Sequence, residues 1–311
     1  MMRDCDLTDK TRLILELRQI AGQENVLEKE PMSRHTTFQA GGEADIYVRL
    51  SSEKGLLEAL ELLEREKEPY FLLGKGSNLL VGDGGFRGTI LTLAGSFADI
   101  SVNGQEITAG AGALLGSVSR AAMENGLTGL EFASGIPGSV GGGIVMNAGA
   151  YGGEMAQVIR EVAILFPGEG IRTVPAEEMR FGYRASLLKE RKGIVLGAVV
   201  SLKQGSRDEI RDRIEELAAM RKSKQPLEYA SAGSTFKRPE GYFAGKLISD
   251  AGLKGFCAGP AQVSEKHAGF VINRGGASAR QIRDVIEAVT ERVYEASGIR
   301  LEREVIYLGE F

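Results

Sequence analysis

The succession of apolar and polar positions predicts helices and strands in mixed order. Leu13, Ile14, Leu17 and Ile20 recur at helical spacing and mark one face of a helix that runs to about Ala21, capped by Thr8 and stopped by Gly22. Ile46, Val48 and Leu50 alternate, as a half-buried strand does. Ser52 opens a second helix with the stripe Leu56, Leu57, Leu60 and Leu63, and Pro69 ends it. YFLLG is a short strand. Further strands fall at 89–93, 100–102 and 107–109, the last two joined across Asn103-Gly104, a strong hairpin signal. A helix covers 114–125, and strands at 158–166, 171–174 and 194–202 then follow without helices between them. A charged amphipathic helix occupies 206–222, with Ile210, Ile214, Leu217 and Met220 on one face and a solvated face opposite. Lys224-Gln225-Pro226 breaks it. The last third holds a helix at 242–252, a strand at 270–273, a helix at 278–297 with Ser278 as N-cap, and a closing strand in REVIYLG. Early alternation followed by a run of strands points to an α+β fold rather than a doubly wound sheet.

Two loops interrupt this pattern. Residues 129–153, GLEFASGIPGSVGGGIVMNAGAYGG, hold nine glycines in 25 residues, interleaved with Ile136, Val140, Ile144, Val145 and Met146. A linker would be polar, whereas this stretch is apolar and turn-rich. Glycine removes the Cβ that blocks close approach, and successive N–H groups in such turns form anion-binding concavities. A cradle for a flat, phosphorylated cofactor fits, and so does a set of tight turns in a β-rich core. The second loop, GKGSNLLVGDGGFRG at 74–88, follows a strand. Its backbone amides and the Ser77 hydroxyl suit a pyrophosphate. It matches neither the P-loop nor the GxGxxG spacing, and a strand-connecting turn is the commoner use of such a loop.

Composition narrows the classes. The chain has 311 residues, 43% hydrophobic and 26% charged, with a formal net charge of -4, which argues against a generic nucleic-acid binder. Two cysteines (Cys5, Cys257) and two histidines (His35, His267) are too few for a disulfide framework or a cysteine/histidine zinc site, and no metal-ligand spacing occurs. A reducing, cytoplasmic setting fits. The N-terminal stretch is charged from Arg3 and has no signal-peptide core, and no run approaches the ~18 apolar residues of a membrane span.

No nucleophilic triad can be assembled. Three polar segments stand out instead. GYRAS sets Arg184 beside Tyr183 among apolar strand residues, where a guanidinium could clamp a carboxylate. A surface ion pair is the commoner use of such an arginine. GSTFKRP places Ser234 in a tight turn with Lys237 and Arg238 close behind, which suits proton delivery near an anion as well as a capped turn. LEREV places Glu304 just before the closing strand. His267 reads as structural or pocket-lining, and His35 is ambiguous.

Taken in order, HTTFQAGG, GKGSNLLVGDGGFRG, GLEFASGIPGSVGGGIVMNAGAYG, FGYRAS, AGSTFKRP, AGKLISDAGLKG, AQVSEKHAGFVIN and LEREV resemble the UDP-N-acetylenolpyruvoylglucosamine reductase (MurB) family from about His35 to Gly309. The unbroken AGLKG to AQVSEKHAGFVIN passage resembles its shorter type II form. The resemblance implies an α+β chain. It would comprise a two-subdomain FAD-binding fold of the vanillyl-alcohol-oxidase (PCMH) type, at 1–85 and 86–205, and a UDP-sugar-binding α+β domain at 206–311 whose last strand returns to the active site. It implies non-covalent FAD, NADPH as hydride donor and UDP-N-acetylglucosamine enolpyruvate as substrate. The product is UDP-N-acetylmuramate, a peptidoglycan precursor.

Cofactor contacts carry over to Gly74, Lys75, Gly76, Ser77, Asn78 and Leu79, and to Ile136, Pro137, Gly138, Ser139, Gly142, Asn147, Ala148 and Gly149. In the family reaction a hydride passes from FAD N5 to the enolpyruvyl β-carbon. Arg184 would hold the carboxylate, Glu304 would polarise or position, and Ser234 would protonate the α-carbon. Arg238 matches a position at the UDP pyrophosphate, with Tyr183, Lys246 and Gln262 as further substrate-pocket residues. A cytoplasmic monomer without nucleic-acid or membrane partners is expected. The alternatives are an FAD-linked alcohol or sugar oxidase on the same fold and a silent sugar-nucleotide-binding regulator. Cys257 and Pro260, in GFCAGPAQ, depart from the plainer glycine-rich turn of the family, and Cys257 reads as a buried small hydrophobe.

Overall fold

The structure, a computed structural model, describes residues 3–311, with side chains from Asp9 onward. The side chains of Cys5 and Thr8 therefore lie outside the described residues. The chain forms two compact units, each built from three stretches of sequence.

The first unit comprises residues up to Leu27, 47–74 and 90–221. Its helices are α1 (Arg3–Ala21), α2 (Glu53–Arg65), α3 (Leu115–Glu124), α4 (Val140–Val145) and α5 (Arg207–Lys224). The helix α1 begins before Thr8, so that residue lies inside the helix and is not its cap. Ser52 does cap α2, accepting from Gly55 N at 3.2 Å, and α2 buries Leu56, Ala59, Leu62 and Leu63. Arg12–Glu66 and Arg65–Glu16 ion pairs link α2 to α1. These groups are solvent-exposed, so the pairs add little to stability.

An antiparallel five-stranded sheet forms the floor of this unit, in the order Gly170–Pro175, Ile159–Phe166, Ile194–Ser201, Glu106–Gly110 and Ile100–Asn103. Asn103 pairs with Glu106, so Gly104 and Gln105 are the central turn residues, one position later than the Asn-Gly signal implies. Gly104 sits at φ 60, which Asn103 would have had to adopt at greater cost. Val162, Ile164 and Phe166 alternate inward along the second strand and join Val140 and Ile144 of α4 in one core. The glycine-rich stretch thus contains a short helix that its composition conceals, because three of its six residues are glycine. Strands also form at Glu43–Leu50, Tyr70–Leu73 and Phe86–Leu93.

The second unit comprises 28–46, 75–89 and 222–311. An antiparallel sheet runs in the order Ala230–Ser231, Val271–Asn273, Ala261–Val263 and Cys257–Ala258. It is joined by α6 (Ala244–Asp250) and α7 (Ala279–Ser297). Ser278 caps α7 in a reciprocal capping box with Gln281, and Gly298 ends it at φ 72. Ile282, Val285, Ile286, Val289 and Val293 form its buried stripe at helical spacing. Asp83, in the GDGG turn, accepts from Ala279 N (2.7 Å) and Arg280 N (2.9 Å), placing a carboxylate on the positive end of that helix. The closing strand Ile306–Leu308 pairs in parallel with Leu79–Val81, so the end of the chain is fastened directly behind GKGSN.

Candidate active site

In the first unit the glycines of the 129–153 stretch divide into two groups. A Cβ on Gly141 would lie 3.1 Å from Ala111 Cβ, one on Gly143 3.1 Å from Leu115 Cδ1, and one on Gly153 2.5 Å from Phe132 Cδ1. These glycines serve the internal packing of a tightly turned core. Gly142 is different. It is exposed, and a Cβ there would meet only Ser139 Oγ, at 3.5 Å. Pro137 and Gly74 are also exposed. A Cβ on Gly74 would come within 2.8 Å of Ser139 Oγ, the hydroxyl that caps α4 through Gly142 N. The stretch therefore holds tightly packed glycines and at least one glycine open to solvent. Gly74, Pro137 and Gly142 are thus the exposed members, with Ser139 buried beneath them.

Asn147 belongs to neither group. It is buried, sits at φ 42, and spends both ends of its amide on backbone. Its Nδ2 donates to Gly182 O (3.1 Å) and its Oδ1 accepts from Ala156 N (2.9 Å).

Gly182 opens the turn that carries Arg184. Gly182 and Ala185 exchange backbone hydrogen bonds of 3.1 and 3.2 Å, so Tyr183 and Arg184 are the central residues of a tight turn and not part of a strand. Leu187 and Leu188, which follow the turn, pack on the core from a 3-10 turn. Arg184 adopts φ 55, a left-handed conformation rare outside glycine, and its guanidinium lies 5.1 Å from the centre of the exposed Tyr183 ring.

Arg221 adds a cation that reading α5 as a solvated helix overlooks. A Cβ on Gly135 would sit 3.2 Å from its Nη1, so the partly buried guanidinium lies against the glycine-rich stretch. Burial pushes its pKa down from the usual value, with the Tyr151 phenol acting the other way. Helical periodicity carries no signal for it.

In the second unit, GKGSN is pressed against HTTF. Gly76 sits at φ 60, where a Cβ would fall 2.0 Å from His35 O, and Thr37 N donates to Gly76 O at 3.2 Å. Lys75 is exposed, and Ser77 and Asn78 are partly so. This fits a loop that offers backbone amides and short polar side chains to a pyrophosphate. Asn78 also reaches the closing segment, with Nδ2 donating to Glu304 O at 3.1 Å and its own carbonyl accepting from Ile306 N at 3.0 Å.

The Ser234 segment lies on the other side of Glu304. Phe236 bridges antiparallel to Arg303, Glu304 N donates to Thr235 O (2.9 Å), and Lys237 N donates to Glu302 O (2.8 Å). The structure thus brings Asn78, Ser234 and Glu304, three widely separated sequence positions, onto adjacent backbone. Ser234 is exposed and Glu304 partly buried. The Lys237 ammonium is paired with Glu302. Arg238 is exposed and stacks on Phe243, 4.8 Å from guanidinium carbon to ring centre.

Lys246 pairs with Asp250 one helical turn on (2.8 Å), and Gln262 Nε2 donates to Gly255 O (3.1 Å). His267 packs edge-on against Phe270, and its Nδ1 accepts from Gly269 N at 3.1 Å, a structural setting. Burial lowers its pKa, and Lys254 adds to the effect. Cys257 is exposed, not buried, because its two-residue strand is the edge of the sheet. Among the described residues no His/Cys/Asp/Glu cluster could hold a metal, and no helix is long and apolar enough to cross a membrane.

Residues 44–174 match the FAD binding domain family, which makes this α+β chain a flavin-binding oxidoreductase by class. Residues 225–308 match the UDP-N-acetylenolpyruvoylglucosamine reductase C-terminal domain family. The chain is 46% identical over 298 residues to the UDP-N-acetylenolpyruvoylglucosamine reductase of Clostridioides difficile, spanning 96% of this chain and 98% of that protein. It is 47% identical to that of Caldanaerobacter subterraneus over the same shares. The crystal structure of the Thermus caldophilus reductase superposes with a TM-score of 0.79 at 36% identity, covering 91% of this chain and 98% of that one. The chain belongs to the UDP-N-acetylenolpyruvoylglucosamine reductase family.

Proposed function

We propose that this chain is an FAD-dependent, NADPH-oxidising reductase that converts UDP-N-acetylglucosamine enolpyruvate to UDP-N-acetylmuramate in peptidoglycan precursor synthesis. The observation that carries the proposal is the near-full-length similarity to reductases of that name. Bound FAD supplies the acceptance of a hydride from NADPH and its delivery to the enolpyruvyl β-carbon. Gly74, Pro137, Ser139 and Gly142 would line the flavin, and the backbone of Lys75 to Leu79 would take the pyrophosphate.

The chain's own residues manage charge and a proton. Adding hydride to the β-carbon drives the alkene electron pair onto the α-carbon, next to the carboxylate. That charge needs prearranged donors. Arg184 is assigned the carboxylate, which its planar fork of donors suits. Ser234 gives its proton to the α-carbon, forming the last C–H bond and leaving an alkoxide that is reprotonated from solvent. A serine hydroxyl is a weak acid, so Glu304 is assigned the positioning of this transfer. Arg238 is assigned the UDP pyrophosphate, and Tyr183, Lys246 and Gln262 the remainder of the substrate pocket.

The same reading divides the chain by role into flavin-binding parts at 1–85 and 86–205 and a sugar-nucleotide part at 206–311, acting as a cytoplasmic monomer. The test is an anaerobic visible spectrum of the purified protein, titrated with NADPH and then with the enolpyruvyl sugar. Flavin that bleaches and then recovers supports donor, cofactor and substrate together. Flavin that bleaches without recovery rejects the substrate, and absence of flavin after added FAD rejects the cofactor.

A further inference from the structure

The turn that carries Arg184 is fastened to the glycine-rich stretch on both sides. Before the arginine, Asn147 Nδ2 donates to Gly182 O at 3.1 Å. After it, Ser186 Oγ donates to Val145 O at 2.9 Å. Both side chains are buried, at 1% and 3% exposure, so their donating groups are shielded from bulk water. Val145 is the last residue of α4 and Asn147 lies two positions further on, so both fastenings converge on one end of the helix whose other end Ser139 caps.

The conformations agree with such a constraint. Asn147 sits at φ 42 and Arg184 at φ 55. Asparagine is among the few side chains that tolerate the left-handed region. An arginine held there persists only when its surroundings impose it.

We propose that Asn147 and Ser186 are positioning residues for Arg184. Their hydrogen bonds set the turn, and the turn sets the direction in which the guanidinium meets the substrate carboxylate. The inference rests on the proposed role of Arg184 as the carboxylate clamp. A bidentate fork is directional, so displacing its backbone weakens the grip without removing the charge.

The test uses FAD-loaded protein and two ligands measured by calorimetry. UDP-N-acetylmuramate carries the lactyl carboxylate, and UDP-N-acetylglucosamine lacks it. Asn147→Asp keeps the acceptor for Ala156 N but turns an oxygen toward Gly182 O. It is expected to weaken the carboxylate-bearing ligand about tenfold, roughly the loss of one charge-assisted hydrogen bond of the fork. The loss for UDP-N-acetylglucosamine should be smaller, so the ratio of the two affinities is the readout. Ser186→Ala should act in the same sense, and it carries the test if the Asn147→Asp variant does not fold. In an Arg184→Ala background neither substitution should cost anything further.

Equal losses for both ligands, or the same loss with and without Arg184, overturn the inference. If Arg184→Ala itself leaves the ratio of the two affinities at the wild-type value, the clamp reading fails and takes this inference with it. That result is distinct from the case in which Arg184→Ala changes the ratio and the Asn147 and Ser186 variants do not.

Discussion

Asn78 and Glu304, 226 positions apart in sequence, are joined by a 3.1 Å hydrogen bond from the Asn78 amide to the Glu304 carbonyl. Asn78 O accepts from Ile306 N, and the parallel pairing of Leu79–Val81 with Ile306–Leu308 begins at the next residue. The loop proposed for the pyrophosphate and the carboxylate proposed for catalysis therefore share one piece of hydrogen-bonded backbone. Asn78→Asp should harm this junction more than Asn78→Ala, because it sets a carboxylate oxygen against a carbonyl. The expected loss of stability is about 1–3 kcal/mol for the aspartate variant and about 1 kcal/mol for the alanine variant. Urea unfolding of the FAD-loaded variants measures the order, and an alanine variant as unstable as the aspartate variant would show that the contact has no directional role.

Ser234→Ala should leave reduction of the flavin by NADPH nearly intact and slow its reoxidation by the enolpyruvyl sugar at least ~100-fold, the usual worth of a positioned acid. Stopped-flow absorbance of each half-reaction separates the two. Equal slowing of both would remove Ser234 from the proton-donor role. Ser234 is exposed while Thr235 beside it is buried and accepts from Val271 N at 3.0 Å, so Thr235→Ala should destabilise the protein, unlike Ser234→Ala.

Gly76→Ala and Gly104→Ala make a matched pair, since both glycines sit at φ 60. A Cβ at Gly104 meets nothing within 4 Å, whereas one at Gly76 falls 2.0 Å from His35 O. Gly104→Ala should cost only the left-handed backbone term, about 1–2 kcal/mol. Gly76→Ala should cost on the order of 3 kcal/mol or more, because backbone must move. Thermal unfolding compares them, and equal losses would mean that GKGSN yields freely.

His267 carries a pH dependence whose sign follows from its environment. Burial and Lys254 lower its pKa from 6.5, so the unfolded chain binds the proton more readily than the native one. Its contribution to stability is complete above 6.5 and is lost as pH falls from there through the lowered native value. His267→Asn retains an acceptor for Gly269 N and cannot be protonated. Denaturant midpoints of wild type and variant should run parallel above neutrality and change their separation below pH 6.5, with the variant falling less. Parallel curves throughout would place the titration elsewhere.

The sequence by itself determined the elements whose signal is local. The stripe of α7 and its Ser278 cap, the Ser52 cap of α2 and the alternating strand through Ile46 and Val48 are all where periodicity puts them. Side-chain period and cap chemistry act over a few residues and need no partner from elsewhere. The ordered motifs likewise carried the family. The tertiary structure decided what each glycine and each polar residue touches. GYRAS reads as a strand because its neighbours are apolar, yet Asn147 and Ser186 hold it as a turn. Lys237 meets Glu302, 65 residues away, a pairing that its own segment does not announce. Cys257 reads as core and lies on a sheet edge, and Gly76 is fixed by the carbonyl of His35. Each of these depends on a neighbour far along the chain, and no local pattern of side chains encodes which distant backbone a residue will meet.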